Sequence, residues 1–373
     1  MIYLDSAATS LQKPPEVASA AVRAMKSMSS PGRGAHRYAM DASETVYSCR
    51  ENLAKLFNCS DPTKIVLTFN ATHSLNIAIY SLVQKGTKVL CSGYEHNSVM
   101  RPLRALGAKV SFVEAPLFDP EAFLKDAAVK IPQSDVFICT HISNVYGYIL
   151  PVKELGEICR KNGKPYIVDA SQSAGNTDID FQELNADFLC FPGHKALMGP
   201  QGTGVLICKN EAKPLLYGGS GGNSLSHLMP DFLPDMLEAG THNTPGIAGL
   251  NEGIKYVMMR GAAKIGSYEK KIMNIFLESL GEHQDLKVYR SENQDVQSAL
   301  VSMVCKKCDC EILAEKLAER GVAVRAGLHC APEAHRRGGS ISSGTVRFSF
   351  SPYISAAQAR TASHELKKIL KNL

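Results

Sequence analysis

Three kinds of segment are missing from this 373-residue sequence. No uninterrupted apolar run approaches the roughly 20 residues needed to cross a bilayer, so no membrane span is expected. The start, Met1-Ile-Tyr-Leu-Asp5, has neither a basic leader nor a long apolar stretch and predicts no secretory signal. Internal repeats, low-complexity tracts and heptads are also lacking, which excludes solenoids, disordered tails and coiled coils. Neither sign of charge dominates, with 41 basic and 36 acidic residues. The net charge is +5 without a clustered basic stripe, so nucleic acid is not an expected partner. The 11 cysteines, an odd number scattered through apolar stretches, suit reduced thiols in a cytoplasm rather than a disulfide framework.

The residues present are 45% apolar and 21% charged, as in an ordinary globular protein, and the length predicts about two domains. A proline-led, Ala-rich helix is expected over 15–28. A second helix is capped by Asp41 or Ser43, with Val46, Cys49, Leu53 and Leu56 at helical spacing. Candidate strands at 64–69, 87–91, 109–113, 135–140, 165–169, 188–191 and 205–208 then alternate with candidate helices at 72–83, 98–106 and 152–162. This alternation predicts an α/β fold with a mostly parallel sheet covered by helices. Beyond residue 251 a long helical stretch precedes fewer, more widely spaced strands at 286–290, 299–305, 322–325 and 345–351, with helices near 311–320 and 356–370. The expected division is a large domain over 14–250 and a smaller α+β domain over 251–373.

The densest chemical signal is Phe191-Pro-Gly-His-Lys-Ala-Leu-Met-Gly-Pro-Gln-Gly-Thr-Gly204, a turn-rich loop between two apolar strands. A lysine there, Lys195, sits at the mouth of a sheet, where desolvation lowers its pKa and makes its amine a usable nucleophile. Asp169 ends the preceding strand, and ligands bind at the carboxyl ends of strands in open α/β sheets. A carboxylate at one strand end and a lysine after the next is what pyridoxal phosphate needs. The lysine holds the aldehyde, and the carboxylate keeps the ring nitrogen protonated.

Eight segments in order carry a resemblance: Tyr3-Leu-Asp-Ser-Ala-Ala8, Glu95-His96, His141-Ile-Ser-Asn144, Val168-Asp-Ala-Ser-Gln172, Gly193-His-Lys195, Glu238-Ala-Gly-Thr241, Arg325-Ala-Gly-Leu-His-Cys330 and Gly344-Thr-Val-Arg347. With them the chain resembles the class V aminotransferases of fold type I, and among those the Suf-type (group II) cysteine desulfurases and selenocysteine lyases. The resemblance implies that residues 1–13 fold back onto the small domain. It also implies a phosphate site at Ala71 and Thr72, where a helix N-terminus offers free N–H groups, helped by His194 and by Thr241 reaching in from the second subunit of a homodimer. His73 stands where relatives often have Glu and receives no role. Pro192 replaces a Ser or Thr of many relatives and removes one hydroxyl from the phosphate site.

By the same resemblance His96 stacks on the cofactor ring, while Asn144 and Gln172 reach the cofactor and, for Asn144, the substrate carboxylate. Arg347, a planar fork in an apolar strand, binds that carboxylate; a structural ion pair is the competing reading. Cys330 matches the family's persulfide-forming nucleophile, in a polar loop followed by the basic turn His335-Arg-Arg-Gly-Gly339, a setting that suits a reactive thiol. The implied reaction takes sulfur from L-cysteine, leaving L-alanine, and passes it as a persulfide to an acceptor protein. Selenocysteine lyase, cysteine sulfinate desulfinase and a class V aminotransferase are alternatives. Cys305-Lys-Lys-Cys-Asp-Cys310 has metal-like spacing but no fourth ligand motif, and no metal is assigned. The Gly218–Gly222 cluster lies outside any strand-turn-helix context, so it reads as a mobile loop rather than a dinucleotide fingerprint.

Overall fold

A computed structural model describes residues 1–32, 34–209, 212–220 and 225–373. Gly221 and Gly222 of the Gly-rich cluster lie outside the described residues. Among these residues, a seven-stranded sheet runs in the order Ile65–Thr68, Gly204–Cys208, Phe188–Pro192, Tyr166–Asp169, Val136–Thr140, Lys88–Cys91, Lys109–Phe112. Gly204–Cys208 is antiparallel to both of its neighbours, while the other pairs along the sheet are parallel. Four of the five inner strands are buried along their whole length, and the fifth, Lys88–Cys91, is exposed only at Lys88. Continuous burial is the reason their sequences read as apolar runs without alternation. Helices cover both faces and bury two separate apolar clusters against them.

A second sheet, entirely antiparallel, orders Arg325–Gly327, Thr345–Ser349, Leu300–Cys305 and Leu286–Tyr289, and has its own apolar core around Phe276, Phe348 and Leu366. The chain start joins the two sheets. Ile2–Tyr3 pairs in parallel with Val322–Ala323, Ala7 N–H donates to Ser349 Oγ at 2.9 Å, and Ser10 N–H donates to the His194 carbonyl at 3.0 Å. A two-residue strand has little stability of its own; here the bonds to Val322–Ala323, Ser349 and His194 hold it.

Three local expectations need correction. The helix assigned to an Asp41 or Ser43 cap starts earlier, at Arg37–Leu56, because His36 Nδ1 accepts the Ala39 N–H at 3.3 Å and does the capping. Pro120–Lys130, capped by Asp119 and led by proline, is a helix that the sequence reading passed over. The supposed basic turn at 335–339 is the end of a helix, Pro332–Gly338, with His335 fully buried.

Candidate active site

The cavity that matters lies at the carboxyl ends of the parallel strands, where Arg325 and Arg347 of the smaller sheet close it. Its volume is ≈ 220 Å³. Ala71, Thr72, His96, Asn144, Asp169, Gln172, His194, Lys195 and Arg347 all line it. These residues come from six separate stretches of chain, and each is placed by a local device.

Lys195 follows Gly193, where a Cβ would lie 2.3 Å from Thr203 Oγ1; only glycine lets the loop turn that tightly. Burial pushes the Lys195 amine down to about 8, against the opposing pull of the Asp169 carboxylate. Roughly a tenth of such amines is neutral at pH 7, far more than for an ordinary lysine, and the neutral form is what a nucleophilic or proton-carrying amine requires. Asp169, 3% exposed, keeps Oδ1 on the Ser171 N–H (2.9 Å) and hydroxyl (2.5 Å). Those bonds fix the plane of the carboxylate.

His96 caps the helix Asn97–Ala105. Its Nδ1 accepts the Ser98 N–H at 3.1 Å, so in the neutral ring the proton sits on Nε2. Burial, then the nearby Lys195 charge, pushes His96 down to about 4, so the ring is uncharged at neutral pH. Ser98 Oγ also meets Thr72 Oγ1 at 2.8 Å, tying the His96 turn to the start of the helix Ala71–Leu82. Asn70 Oδ1 takes the His73 N–H at 2.9 Å, while the Ala71 and Thr72 amides have no protein partner among the described residues. First-turn amides and the helix dipole make an anion site. His194, pushed down to about 4 by burial and then by Lys195 and Lys13, is a neutral hydrogen-bonding group beside it.

Arg347 is 2% exposed. Its Nη1 donates to the Asn144 carbonyl and its Nη2 to Asp5 Oδ1, each at 2.9 Å, while the buried Nε has no partner. The competing structural ion pair therefore exists, yet it leaves part of the fork unused at the cavity wall. Gln172 and Asn144 each give an N–H to a backbone carbonyl, of Ala7 (3.1 Å) and His329 (2.8 Å), so part of each amide is structural.

Cys330 and Thr241 stand apart from the cavity lining. His329 and Cys330 both have left-handed backbones, with φ of 49° and 56°. Two consecutive non-glycine residues in that region are strained. The Asn144 bond to the His329 carbonyl and the Asn97 N–H bond to the Cys330 carbonyl (2.7 Å) hold them there. The result turns His329 into the cavity and leaves Cys330 exposed beside it. The charge anticipated around this thiol is reduced. His329 is pushed down to about 2 and His335 to about 4, both chiefly by burial, so neither is cationic at neutral pH. Arg336 pairs with Glu333, and Arg337 lies 3.7 Å from Glu114.

Thr241 lines a different pocket with His73 and His242, behind Glu238. Burial alone would raise Glu238, but a hydrogen bond from His242 (2.5 Å) and the buried Arg50 guanidinium hold it below the usual carboxylate range. Glu238 Oε1 also accepts the Leu67 N–H at 2.6 Å, fastening the Thr241 segment to the sheet edge.

Sequence reasoning missed Arg325, Ser171 and the Asp5 partnership. Arg325 lies directly opposite Arg347 in the antiparallel register, a pairing that strand periodicity hints at only once the register is known.

The sequence pattern of the family described as Aminotransferase class-V matches residues 2–360. The chain belongs to that family. It is 34% identical to a probable cysteine desulfurase of Pyrococcus abyssi, over 100% of this chain and 95% of the relative. A probable cysteine desulfurase of Methanothermobacter thermautotrophicus is 32% identical, over 99% and 94%. Among solved structures, the apo cysteine desulfurase from Thermococcus onnurineus NA1 superposes with a TM-score of 0.91 at 32% identity, covering 100% of this chain and 95% of that one. The Escherichia coli cysteine desulfurase CsdA, in an S-sulfonic acid form, gives 0.87 at 27% identity over 100% and 95%. Both solved structures support the α/β fold with its mostly parallel central sheet as a fold-type I architecture.

Proposed function

We propose that this chain is a pyridoxal phosphate-dependent cysteine desulfurase. The observation that carries the reading is the convergence in one cavity of a buried lysine, a buried carboxylate, an open helix N-terminus and a partly unused arginine fork, with an exposed cysteine next in the chain to the lining residue His329. The donors fit the cofactor. The Ala71 and Thr72 amides, the Thr72 hydroxyl and His194 would hold its phosphate, Asp169 its ring nitrogen, His96 and Gln172 its ring and substituents, and Lys195 its aldehyde. Bound there, pyridoxal phosphate supplies an electron sink conjugated to the substrate Cα.

The chain's own groups do the rest. Arg347, with Asn144, fixes the substrate carboxylate. Lys195, partly neutral near neutral pH, takes the Cα proton and returns it. Cys330 Sγ attacks the substrate sulfur. An S–S bond forms as the Cβ–S bond breaks, and the carbon fragment, once protonated at Cβ, leaves as alanine. Cys330 is the one exposed cysteine among the described residues. Burial pushes Cys308 and Cys310 up to about 11 and Cys49 and Cys159 to about 12, which keeps those thiols protonated and inert.

The persulfide then passes to an acceptor protein. The active unit is a homodimer. Thr241 lies outside its own cavity lining, and Met25, Tyr38, Met40 and Tyr47 are exposed apolar residues for which a partner surface gives a reason. Eleven free cysteines suit a cytoplasmic, reducing setting, and no helix of the described residues is long and apolar enough to cross a membrane. The test is direct. Protein reconstituted with pyridoxal phosphate should be yellow and convert L-cysteine to equal amounts of alanine and reducible sulfur. Absence of alanine refutes the reading.

A further inference from the structure

Behind Lys195, away from Cys330, lies a second, smaller cavity of ≈ 40 Å³. Lys195, Ser171, Gln172 and Asn176 line it, and so does Glu269 from the helix Ala262–Leu280. At roughly 10–15 Å³ per water, the space admits about three waters, and its hydroxyl and amide lining offers them partners. Glu269 also lines an outer groove of ≈ 620 Å³ with Asp178, Lys270, Lys271 and Glu278. One carboxyl group thus borders both the inner space beside the lysine and the solvent-facing groove.

Glu269 is 3% exposed, and its hydrogen-bond partner among the described residues is Asn176 Nδ2, at 3.2 Å. The close seat is built in. A Cβ at Gly266, one turn away on the same helix, would lie 2.1 Å from the Asn176 carbonyl oxygen, so glycine lets the helix press against the loop that carries Asp169 and Gln172. Burial pushes Glu269 up to about 8, with only the Asn176 bond opposing. Lys195 is the one other titratable group on the inner cavity; Asp178, Lys270, Lys271 and Glu278 face Glu269 from the groove. Glu269 forms no ion pair among the described residues, and a buried acid without one is costly unless it stays protonated.

We propose that Glu269 is a proton relay, joining the groove to Lys195 through water in the inner cavity. This rests on the reading of Lys195 as the proton-carrying amine. The carboxyl gives its proton through water to the neutral Lys195 amine, forming the ammonium and leaving the carboxylate. The carboxylate is then reprotonated from solvent in the groove. With both groups at about 8, the transfer is close to thermoneutral in either direction. Glu269 acts through Lys195 and is a positioning and relay residue rather than a catalytic one.

The test compares wild type, Glu269→Gln and Glu269→Asp, all loaded with pyridoxal phosphate. In deuterium oxide, exchange of the L-alanine Cα proton, followed by NMR, should fall by roughly tenfold or more in Glu269→Gln and recover at least partly in Glu269→Asp. The cofactor absorbance should be unchanged in both. In the cofactor-free protein, the infrared carbonyl band of a protonated carboxylic acid should be present at pH 7 in wild type, fade with a midpoint near 8, and be missing in Glu269→Gln. The neutral glutamine should raise the melting temperature at pH 8, whereas loss of a merely structural contact would lower it. Equal exchange in wild type and Glu269→Gln, or an ionised carboxylate at pH 7, overturns the relay. A wild type with no exchange and no cofactor absorbance would instead overturn the desulfurase reading, and the infrared titration would still decide the state of Glu269.

Discussion

Arg347 offers the sharpest way to separate binding from scaffolding, because the structure gives it both kinds of contact. Its Nη2 faces Asp5 and its Nη1 the Asn144 carbonyl, while the buried Nε–H is unpartnered at the cavity wall. A hydrogen bond between charged groups is worth about 1.5–3 kcal/mol. Two bonds to a substrate carboxylate therefore represent about 3–6 kcal/mol. At 1.4 kcal/mol per decade, Arg347→Ala should raise KM for L-cysteine by about 100-fold or more. Asp5→Asn supplies the contrast. It leaves the guanidinium in place but removes its counter-charge, a loss of about 3–5 kcal/mol for a fully buried pair; Asp5, with its side chain 19% exposed, should lose less. Substrate affinity should then hold or improve, since a competing carboxylate has been neutralised. Steady-state kinetics of both variants, with thermal unfolding alongside, reads the two effects separately. If both variants lose stability alike while KM stays at the wild-type value, Arg347 is only half of a structural ion pair.

Borohydride reduction followed by peptide mapping should place the pyridoxyl group on Lys195; another lysine would move the site. Cys330→Ala should still bind L-cysteine, seen as a change in cofactor absorbance, yet form almost no alanine; full turnover would make Cys308 and Cys310 the next thiols to test. Glu238→Gln, which leaves Arg50 buried without its counter-charge, should destabilise the fold by about 3 kcal/mol, and an unchanged melting temperature would show that the cluster is not cooperative. Acid sensitivity has a defined window. His141 and His335 are held neutral at about 4 by burial, so below the unfolded value near 6.5 the unfolded chain takes up protons that the folded chain refuses. Stability should fall from pH 6.5 towards 4, by roughly 1–2 kcal/mol per histidine at pH 5; a flat stability profile over that range would contradict the burial argument.

Local chemistry determined much of this protein before any coordinates. Inner strands such as Val136–Thr140 and Tyr166–Asp169 are buried along their whole length, so continuous apolar runs marked them and the sheet they form. Lys195 and Asp169 were legible because strand ends and turn glycines fix where such side chains emerge. Tertiary structure alone decided which surroundings those residues meet. The cationic setting expected for Cys330 assumed that nearby basic residues are charged, but folding buries His329 and His335 and so neutralises them. Asp5 and Arg347 are separated by 342 positions and meet only because the chain start folds onto the smaller sheet. Nothing in the local sequence marks Glu269 out from other acids on a helix. Only the packing of its helix against Asn176, permitted by Gly266, turned it into a buried carboxyl group bordering the space beside Lys195. Desolvation and long-range contact are properties of the packed chain, which is why neither was written in the local pattern.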